Sequence, residues 1–163
     1  MNATRQQLMT SVGLLILRLG IGGYMLTHGW GKLKLLLAGE FDALGDPVGL
    51  GAPATLVLLV LAEFVCALLV VVGLATRLAA VPLVIAMAVA AFLAHGSDPW
   101  TTEQAVGLFM AGETDFPLSK QPALMFLIPF LALIFTGPGG FSIDALLRRR
   151  GARSGVTNGQ QPN

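Results

Sequence analysis

The chain contains four apolar runs that are almost free of charge, and these runs constrain its fold more than any other feature. The runs are residues 8–28, 54–74, 78–95 and 122–136. The first carries only Arg18 and the second only Glu63, and the other two carry no Asp, Glu, Lys or Arg. At 1.5 Å per residue, about 20 helical residues cross the hydrocarbon core of a bilayer. The charged fraction of the chain, 12%, is about half that of a typical soluble domain. The chain is therefore predicted to span a membrane.

The predicted fold is all-α, a bundle of four transmembrane helices within residues 1–150. The runs lack the alternating polarity of a membrane β-barrel, and their small residues let helices pack closely. The first run is predicted to be a retained helix rather than a cleaved signal peptide. A short amphipathic helix follows the glycine-rich break at 137–140, with Ser142 or Asp144 as its cap. Residues 151–163 are predicted to form a disordered cytoplasmic tail.

The distribution of Lys and Arg predicts the orientation. With both termini in the cytoplasm, six basic residues lie inside and three outside, which favours a multi-pass protein of the inner membrane with both termini cytoplasmic. The inside residues are Arg5, Arg77, Arg148, Arg149, Arg150 and Arg153, and the outside residues are Lys32, Lys34 and Lys120. The long outer connections, residues 29–53 and 96–121, would then be acidic. The second of them is predicted to lie at the membrane surface through Trp100, Phe109 and Phe116.

Two charges lie deep inside the predicted spans. Counting inward from the outer ends at His28 and Ala54, Arg18 and Glu63 reach about the same depth, roughly 14–15 Å. Because an isolated charge is costly in lipid, the two are predicted to form an ion pair. Such a pair would either fix helix register or bind a polar head group, a quinone oxygen or a proton.

Further polar residues share one face and one level with this predicted pair. Arg18, Met25 and Lys32 recur at intervals of seven, and His28 fills an interleaved position, so this stripe is predicted to face inward. His28 and His95 close odd-numbered spans at the same boundary. They could ligate a haem, which we disfavour, bind the loop backbone, or line a polar pocket. Tyr24 could donate into that pocket or belong to an interfacial aromatic belt.

Several kinds of site have no motif in the sequence. A single cysteine, Cys66, excludes an internal disulfide, and we interpret it as a packing residue. The sequence contains no C-x-x-C, no G-x-G-x-x-G and no cluster with metal-ligand spacing, so no metal site is predicted. Nor does it contain a basic patch interleaved with aromatic residues, which argues against a nucleic-acid partner.

Short motifs in a fixed order resemble the DoxX family of small four-helix membrane proteins. They are LRLG at 17–20, HGWGKL at 28–33, Glu63, and the closing segment from GPG at 137–139 to SID at 142–144. Members of that family are similar to the membrane subunit of thiosulfate:quinone oxidoreductase, and others look like membrane partners of oxidoreductases that handle thiol stress. The resemblance implies a quinone-facing or redox-partner role. It places the family's polar positions at Arg18, His28, Lys32 and Glu63.

Three functional hypotheses follow. In the first, the chain is the membrane subunit or partner of a quinone-linked oxidoreductase, and whether it catalyses anything alone stays open. The proposed catalytic residues are Arg18, which would stabilise an oxyanion, and Glu63 or His28, which would move the proton. The residues proposed to bind a quinone are Arg18, Tyr24, His28, Lys32, Glu63 and His95.

In the second hypothesis, the chain is a non-catalytic scaffold or lipid-interacting protein whose Arg18–Glu63 pair only sets register. The third, a small transporter or channel, is weaker because the sequence shows no inverted repeat with paired broken helices. The expected partners are the lipid bilayer and an oxidoreductase protein, and a homo-oligomer is compatible with the sequence.

Overall fold

A computed structural model describes residues 3–157, with side chains described through residue 151. All regular structure in this range is helical, which confirms the all-α prediction for the described residues. Six helices follow one another along the chain, and a short 3-10 turn, Phe41–Leu44, follows the first. The helices are α1 (Ala3–Ala38), α2 (Ala52–Val72), α3 (Thr76–Ala94), α4 (Thr102–Met110), α5 (Gln121–Thr136) and α6 (Ile143–Thr157).

Three of these helices are long and apolar enough to cross a membrane. They are α1 with 36 residues, α2 with 21 and α3 with 19. Helix α5 is equally apolar but has only 16 residues. Large apolar side chains point outward along the helices: Leu78 and Phe135, for example, are each 74% exposed. Such a surface is stable only in contact with lipid or another protein.

Helix α1 does not end at His28, where the predicted first span ends, but continues to Ala38. No proline interrupts it after His28. It ends before Gly39, whose φ of +76° lies in the left-handed region that favours glycine. The amide of Glu40 closes the helix by donating to Leu35 O at 3.0 Å. The predicted connection 29–53 is therefore helical over its first part.

The core lies where α1 and α5 pack against α2 and α3. Helix α1 contacts the whole length of α2, and α5 packs along α3. The fully buried side chains include Met25, Val70, Leu83 and Phe130. Short side chains on α3, such as Ala80, allow close helix contact, as expected where lipid provides no hydrophobic drive for packing.

The predicted Arg18–Glu63 ion pair is wrong. The Arg18 side chain is 1% exposed, and its guanidinium donates to two backbone carbonyls, Val70 O at 3.5 Å and Phe141 O. The predicted pairing assumed that α1 ends at His28, whereas it ends at Ala38. Because this helix runs on to Ala38 before the chain turns back, α1 is displaced along α2 by nearly three turns, roughly 15 Å, from the predicted register.

Arg18 instead lies at the end of the bundle where α2, α3 and α6 meet. Gly73, at φ +73°, ends α2 directly over the guanidinium, so that a Cβ on Gly73 would overlap Arg18 Nη1. The Asp144 carboxylate supplies a nearby negative charge. This carboxylate also accepts hydrogen bonds from the amides of Ala75 and Thr76, where α3 begins.

The C-terminal helix begins at the predicted place. The Ser142 hydroxyl accepts a hydrogen bond from the Ala145 amide at 3.1 Å, which confirms Ser142 as the cap of α6. Asp144 does not cap α6 but caps α3. The α6 backbone continues to Thr157, beyond the start of the predicted disordered tail, and residues 158–163 of that tail lie outside the described residues.

Candidate ligand-binding cavity

A cavity of about 300 Å³ lies between α1, α2, α3 and α5, covered by the segment that precedes α5. We call it the site cavity. Its polar wall consists of His28, Lys32, Glu63, His95, Thr102 and Ser119. Its apolar wall includes Met25, Met87 and Phe126. The volume lies at the lower end of the range for small-molecule sites, and a mostly apolar lining with a few convergent polar groups is typical of them.

An ion pair with a buried carboxylate and a partly buried ammonium lies on the wall of the site cavity. Lys32 Nζ donates to Glu63 Oε2, and the two side chains are 20% and 3% exposed. Glu63 Oε1 accepts no hydrogen bond from the described residues, and Lys32 Nζ has further N–H groups to donate. The pair therefore neutralises two charges inside an apolar bundle and still has donors and an acceptor for a ligand.

The local backbone explains why Glu63 reaches this position. Residues Leu61–Cys66 form a π-helical turn within α2, a feature that is frequent at functional sites. Helix α1 approaches this turn closely at Gly29, where a Cβ would stand 2.6 Å from Phe64 N and closer to the Glu63 carbonyl. Only glycine allows this approach, which places Lys32, about one turn further along α1, beside Glu63.

The two histidines occupy different surroundings on the cavity wall. The His28 ring packs edge-on against Phe126, with centroids 5.4 Å apart. His95 Nδ1 lies 2.7 Å from Asp98 Oδ2, and this pair is partly exposed. His95 follows a second π-helical turn, Ala90–Ala94, at the end of α3. Each histidine therefore brings an ionisable ring to the site cavity.

The DoxX family model matches residues 13–96 of the chain. This region covers just over half of the chain. The chain belongs to the DoxX family. No curated protein and no solved structure matches the chain.

In this DoxX protein the matched region carries the four ionisable residues of the site cavity: His28, Lys32, Glu63 and His95. The residues that cover the cavity, among them Thr102, Ser119 and Phe126, lie beyond the match. The family region thus supplies the charged wall, and the rest of the chain completes the enclosure.

Two residues predicted for the site lie elsewhere in this DoxX protein. Arg18 is hydrogen-bonded near the α2–α3 turn and does not line the site cavity. Tyr24 is 70% exposed and points away from the cavity on the outer surface of α1. The predicted stripe from Arg18 to Lys32 does run along one face of α1. Lys32, at one end, lines the site cavity, whereas Arg18, at the other end, binds backbone carbonyls near the α2–α3 turn.

Sequence reasoning missed the polar residues Thr102 and Ser119 of the site cavity and the true partner of Glu63. The sequence places both Lys32 and Glu63 at the site, but it predicts Arg18 rather than Lys32 as the ion-pair partner of Glu63. Gly39 was the signal for the true end of α1, because a glycine after a long helical run commonly terminates it. Asp98 is not part of the predicted site, although a carboxylate is a common hydrogen-bond partner of a histidine ring.

A larger open groove of about 810 Å³ lies at the Arg18 end of the bundle. It runs between the first turns of α1 and the segment 139–141, with Arg149 on its wall. None of the residues predicted for the site lines it. Its size reflects the open end of the helix bundle, whereas the site cavity brings ionisable side chains together.

Proposed function

We propose that this DoxX protein is the membrane subunit or partner of a quinone-linked oxidoreductase complex, and that its site cavity holds the quinone head group. The observation that supports this most directly is the buried Lys32–Glu63 pair on the cavity wall, with both histidines on the same cavity. Buried ionisable groups that converge on an apolar cavity are typical of binding and proton-transfer sites.

The residues of the site cavity fit a quinone head group. A single ring with two carbonyl oxygens is flat and largely apolar, matching the wall of Met25, Met87 and Phe126. A quinone exchanges two electrons and two protons between its oxidised and reduced forms. Lys32 has free N–H donors for one carbonyl oxygen, and the free oxygen of Glu63 can hold a proton. Lys32 therefore takes the role first proposed for Arg18, which is to stabilise an oxyanion of the bound ring.

The structure gives the scaffold hypothesis less support. That hypothesis depended on an Arg18–Glu63 pair that sets helix register, and these side chains do not meet. Arg18 itself does serve a structural purpose, since it ties the α2 end to the segment before α6. The ionisable pair at Glu63, in contrast, opens onto a cavity.

A binding experiment tests the proposal. The protein is purified in mild detergent, and binding of a short-chain ubiquinone and a short-chain menaquinone is measured by isothermal titration. Replacing both charges in Lys32→Gln/Glu63→Gln avoids leaving one of them buried and unpaired. We expect this double variant to bind at least about tenfold more weakly, equivalent to about 1.4 kcal/mol.

Lys34→Gln is the matched control, since Lys34 lies on the same helix but is exposed and does not line the cavity. It should bind quinone as the wild type does. Equal binding by the double variant and the wild type, or no quinone binding by folded wild-type protein, would overturn the proposal. Mass spectrometry of an organic extract of the purified protein provides an independent measurement of retained quinone.

We also propose that the protein lies in the inner membrane with four spans and both termini in the cytoplasm. Helix α5 would be the fourth span, because it packs along α3 through its buried Phe130 and Leu133 and is uncharged throughout. Its 16 residues extend about 24 Å, less than the hydrocarbon core of roughly 30 Å, so the membrane would thin locally around α5. The excess of arginine near the termini supports this orientation.

A further inference from the structure

A second cavity, of about 240 Å³, lies in the segment between α3 and α5. We call it the loop cavity. Asp98 and Asp115 are the ionisable residues on its wall, and Leu118 lines both this cavity and the site cavity. The two cavities are therefore neighbours, and Leu118 is part of the wall between them.

His95 and Asp98 bridge this wall. His95 lines the site cavity, Asp98 lines the loop cavity, and His95 Nδ1 lies 2.7 Å from Asp98 Oδ2. The turn that holds them is closed by the Asp98 amide, which donates to His95 O at 3.1 Å. A further bond from the Lys120 amide to Pro99 O, at 3.0 Å, ties this turn to the start of α5. The pair is thus held in place by the backbone on both sides.

The hydrogen bond determines which ring nitrogen is available to a ligand. A carboxylate only accepts, so Nδ1 carries the proton that it donates to Asp98, and in the neutral ring Nε2 is left with a lone pair. The described residues provide no hydrogen-bond partner for Nε2. An imidazole oriented in this way by a carboxylate can accept a proton at Nε2, and the carboxylate then stabilises the resulting cation.

We propose that Asp98 and His95 form a proton route between the site cavity and the loop cavity. His95 Nε2 accepts a proton from the hydroxyl of a ligand in the site cavity, which leaves the ligand anionic, and the imidazolium, stabilised by Asp98, then releases its Nδ1 proton to water in the loop cavity. One proton enters and one leaves, so the ring becomes neutral again with its proton on Nε2, and exchange of both ring protons with water restores the form protonated on Nδ1; no change of redox state is involved. The inference rests on the proposed function only in requiring that the site cavity hold a hydroxyl-bearing ring.

Other ionisable groups face this route. Lys32, Glu63 and His28 line the site cavity together with His95, and Asp115 lines the loop cavity together with Asp98. Lys32 also favours the anionic form of a bound hydroxyl, so a test must separate its effect from that of the His95–Asp98 pair. Substituting Asp98 does this, because it leaves the Lys32–Glu63 pair intact.

The probe is 4-nitrophenol, a single ring with one hydroxyl whose ionised form absorbs at longer wavelength. Bound to the wild-type protein in detergent near neutral pH, it should be ionised to a larger extent than in buffer. Asp98→Asn and His95→Gln should each lower the ratio of ionised to neutral bound probe by about tenfold, as expected for the loss of one charge-assisted hydrogen bond. Glu103→Gln, in the same segment but on neither cavity, should leave the ratio unchanged.

A second measurement does not depend on any ligand. The chain has two histidines, so ¹⁵N-histidine labelling gives two rings, and His28→Gln assigns the remaining one to His95. We expect neutral His95 to carry its proton on Nδ1 in the wild type and to lose this preference in Asp98→Asn. A neutral ring protonated on Nε2 in the wild type would overturn the inference.

The outcomes separate this inference from the proposed function. If quinone does not bind but nitrophenol ionisation depends on Asp98, the quinone proposal fails and the proton route stands. If quinone binds through Lys32 but nitrophenol ionisation is the same in wild type and Asp98→Asn, the proton route fails. Absence of nitrophenol binding by the folded wild-type protein also counts against it, because the site cavity is large enough for this ring.

Discussion

Gly29 sets the distance between the two helices that carry the ion pair. A Cβ at this position would stand within 2.6 Å of the Glu63 carbonyl group and Phe64 N, and these backbone atoms cannot rotate away as a side chain could. We expect Gly29→Ala to lower the free energy of unfolding by about 1–3 kcal/mol, as overpacking does in other cores. Thermal unfolding in detergent measures this. Gly31→Ala, on the same helix with no atom within 4 Å of the added Cβ, should not destabilise the protein.

Asp46 organises the start of α2 through its carboxylate. It accepts hydrogen bonds from the Thr55 hydroxyl and from the amides of residues 49–51. The Thr55 hydroxyl, followed by the Gly51 amide, lowers the pKa of this carboxyl from its ordinary value. Because the folded-state pKa is the lower one, the stabilisation is complete above the ordinary carboxyl pKa and is lost as pH falls through the lowered value.

Replacing this carboxylate should therefore have a pH-dependent effect. At neutral pH, Asp46→Asn should speed hydrogen exchange at the amides of residues 49–51, because the ionised acceptor is lost. As pH falls below the ordinary carboxyl pKa, the wild type should approach the variant after correction for intrinsic exchange rates. Asp42→Asn, in the same connection and exposed, serves as the control. A constant difference between wild type and Asp46→Asn across this pH range would contradict the prediction.

At the scale of helices, Asp144 connects α6 to the start of α3. Its two oxygens accept from the amides of Ala75 and Thr76 at 2.9 and 3.3 Å, and its own amide donates to Gly73 O at 3.0 Å. Asp144→Ala should lower the free energy of unfolding by about 0.5–2 kcal/mol, the usual effect of losing a cap. Asp144→Asn, which keeps one acceptor, should lose less. Equal stability of the alanine variant and the wild type in thermal unfolding would exclude this capping role.

The helices could be predicted well where proline or glycine marks their ends. Pro53 and Gly73 delimit α2, which runs from Ala52 to Val72 against a predicted span of 54–74. The end of α1 could not be predicted from the uncharged run alone, because the helix continues past His28 through a segment that carries Lys32 and Lys34. An apolar run indicates which residues can lie in the hydrocarbon core. Helix propensity and Gly39 determine where the helix itself ends.

The prediction of the site depended on where α1 ends. The sequence places His28, Lys32, Glu63 and His95 among the site residues, and the structure brings these four to one cavity. The sequence also suggests that a charge inside a span needs a partner, and Glu63 does have one. Which residue is the partner depends on how α1 lies along α2. Because the predicted end of α1 was ten residues too early, Arg18 was predicted as the partner instead of Lys32. Arg18 instead donates from Nη1 and Nη2 to backbone carbonyls, which have no signature in a sequence, while its buried Nε has no partner among the described residues.

For the whole molecule, the number of spans determines where the termini lie. Four spans place both ends on one side, whereas the three long helices alone would place them on opposite sides. We expect Thr4→Cys and Gly151→Cys, each made in a Cys66→Ala background, to react with a membrane-impermeant maleimide only after the cells are permeabilised. Asp42→Cys and Thr114→Cys, in the connections at the other end, should react in intact cells.

This labelling pattern tests α5 directly, because Thr114 and Gly151 lie on either side of it along the chain. If residues 114 and 151 react alike, α5 does not cross the membrane and the proposed four-span topology is wrong. The result also bears on the proton route. With Thr114 on the exterior side, the loop cavity beside it opens to that side, and protons from the site cavity would be released away from the cytoplasm.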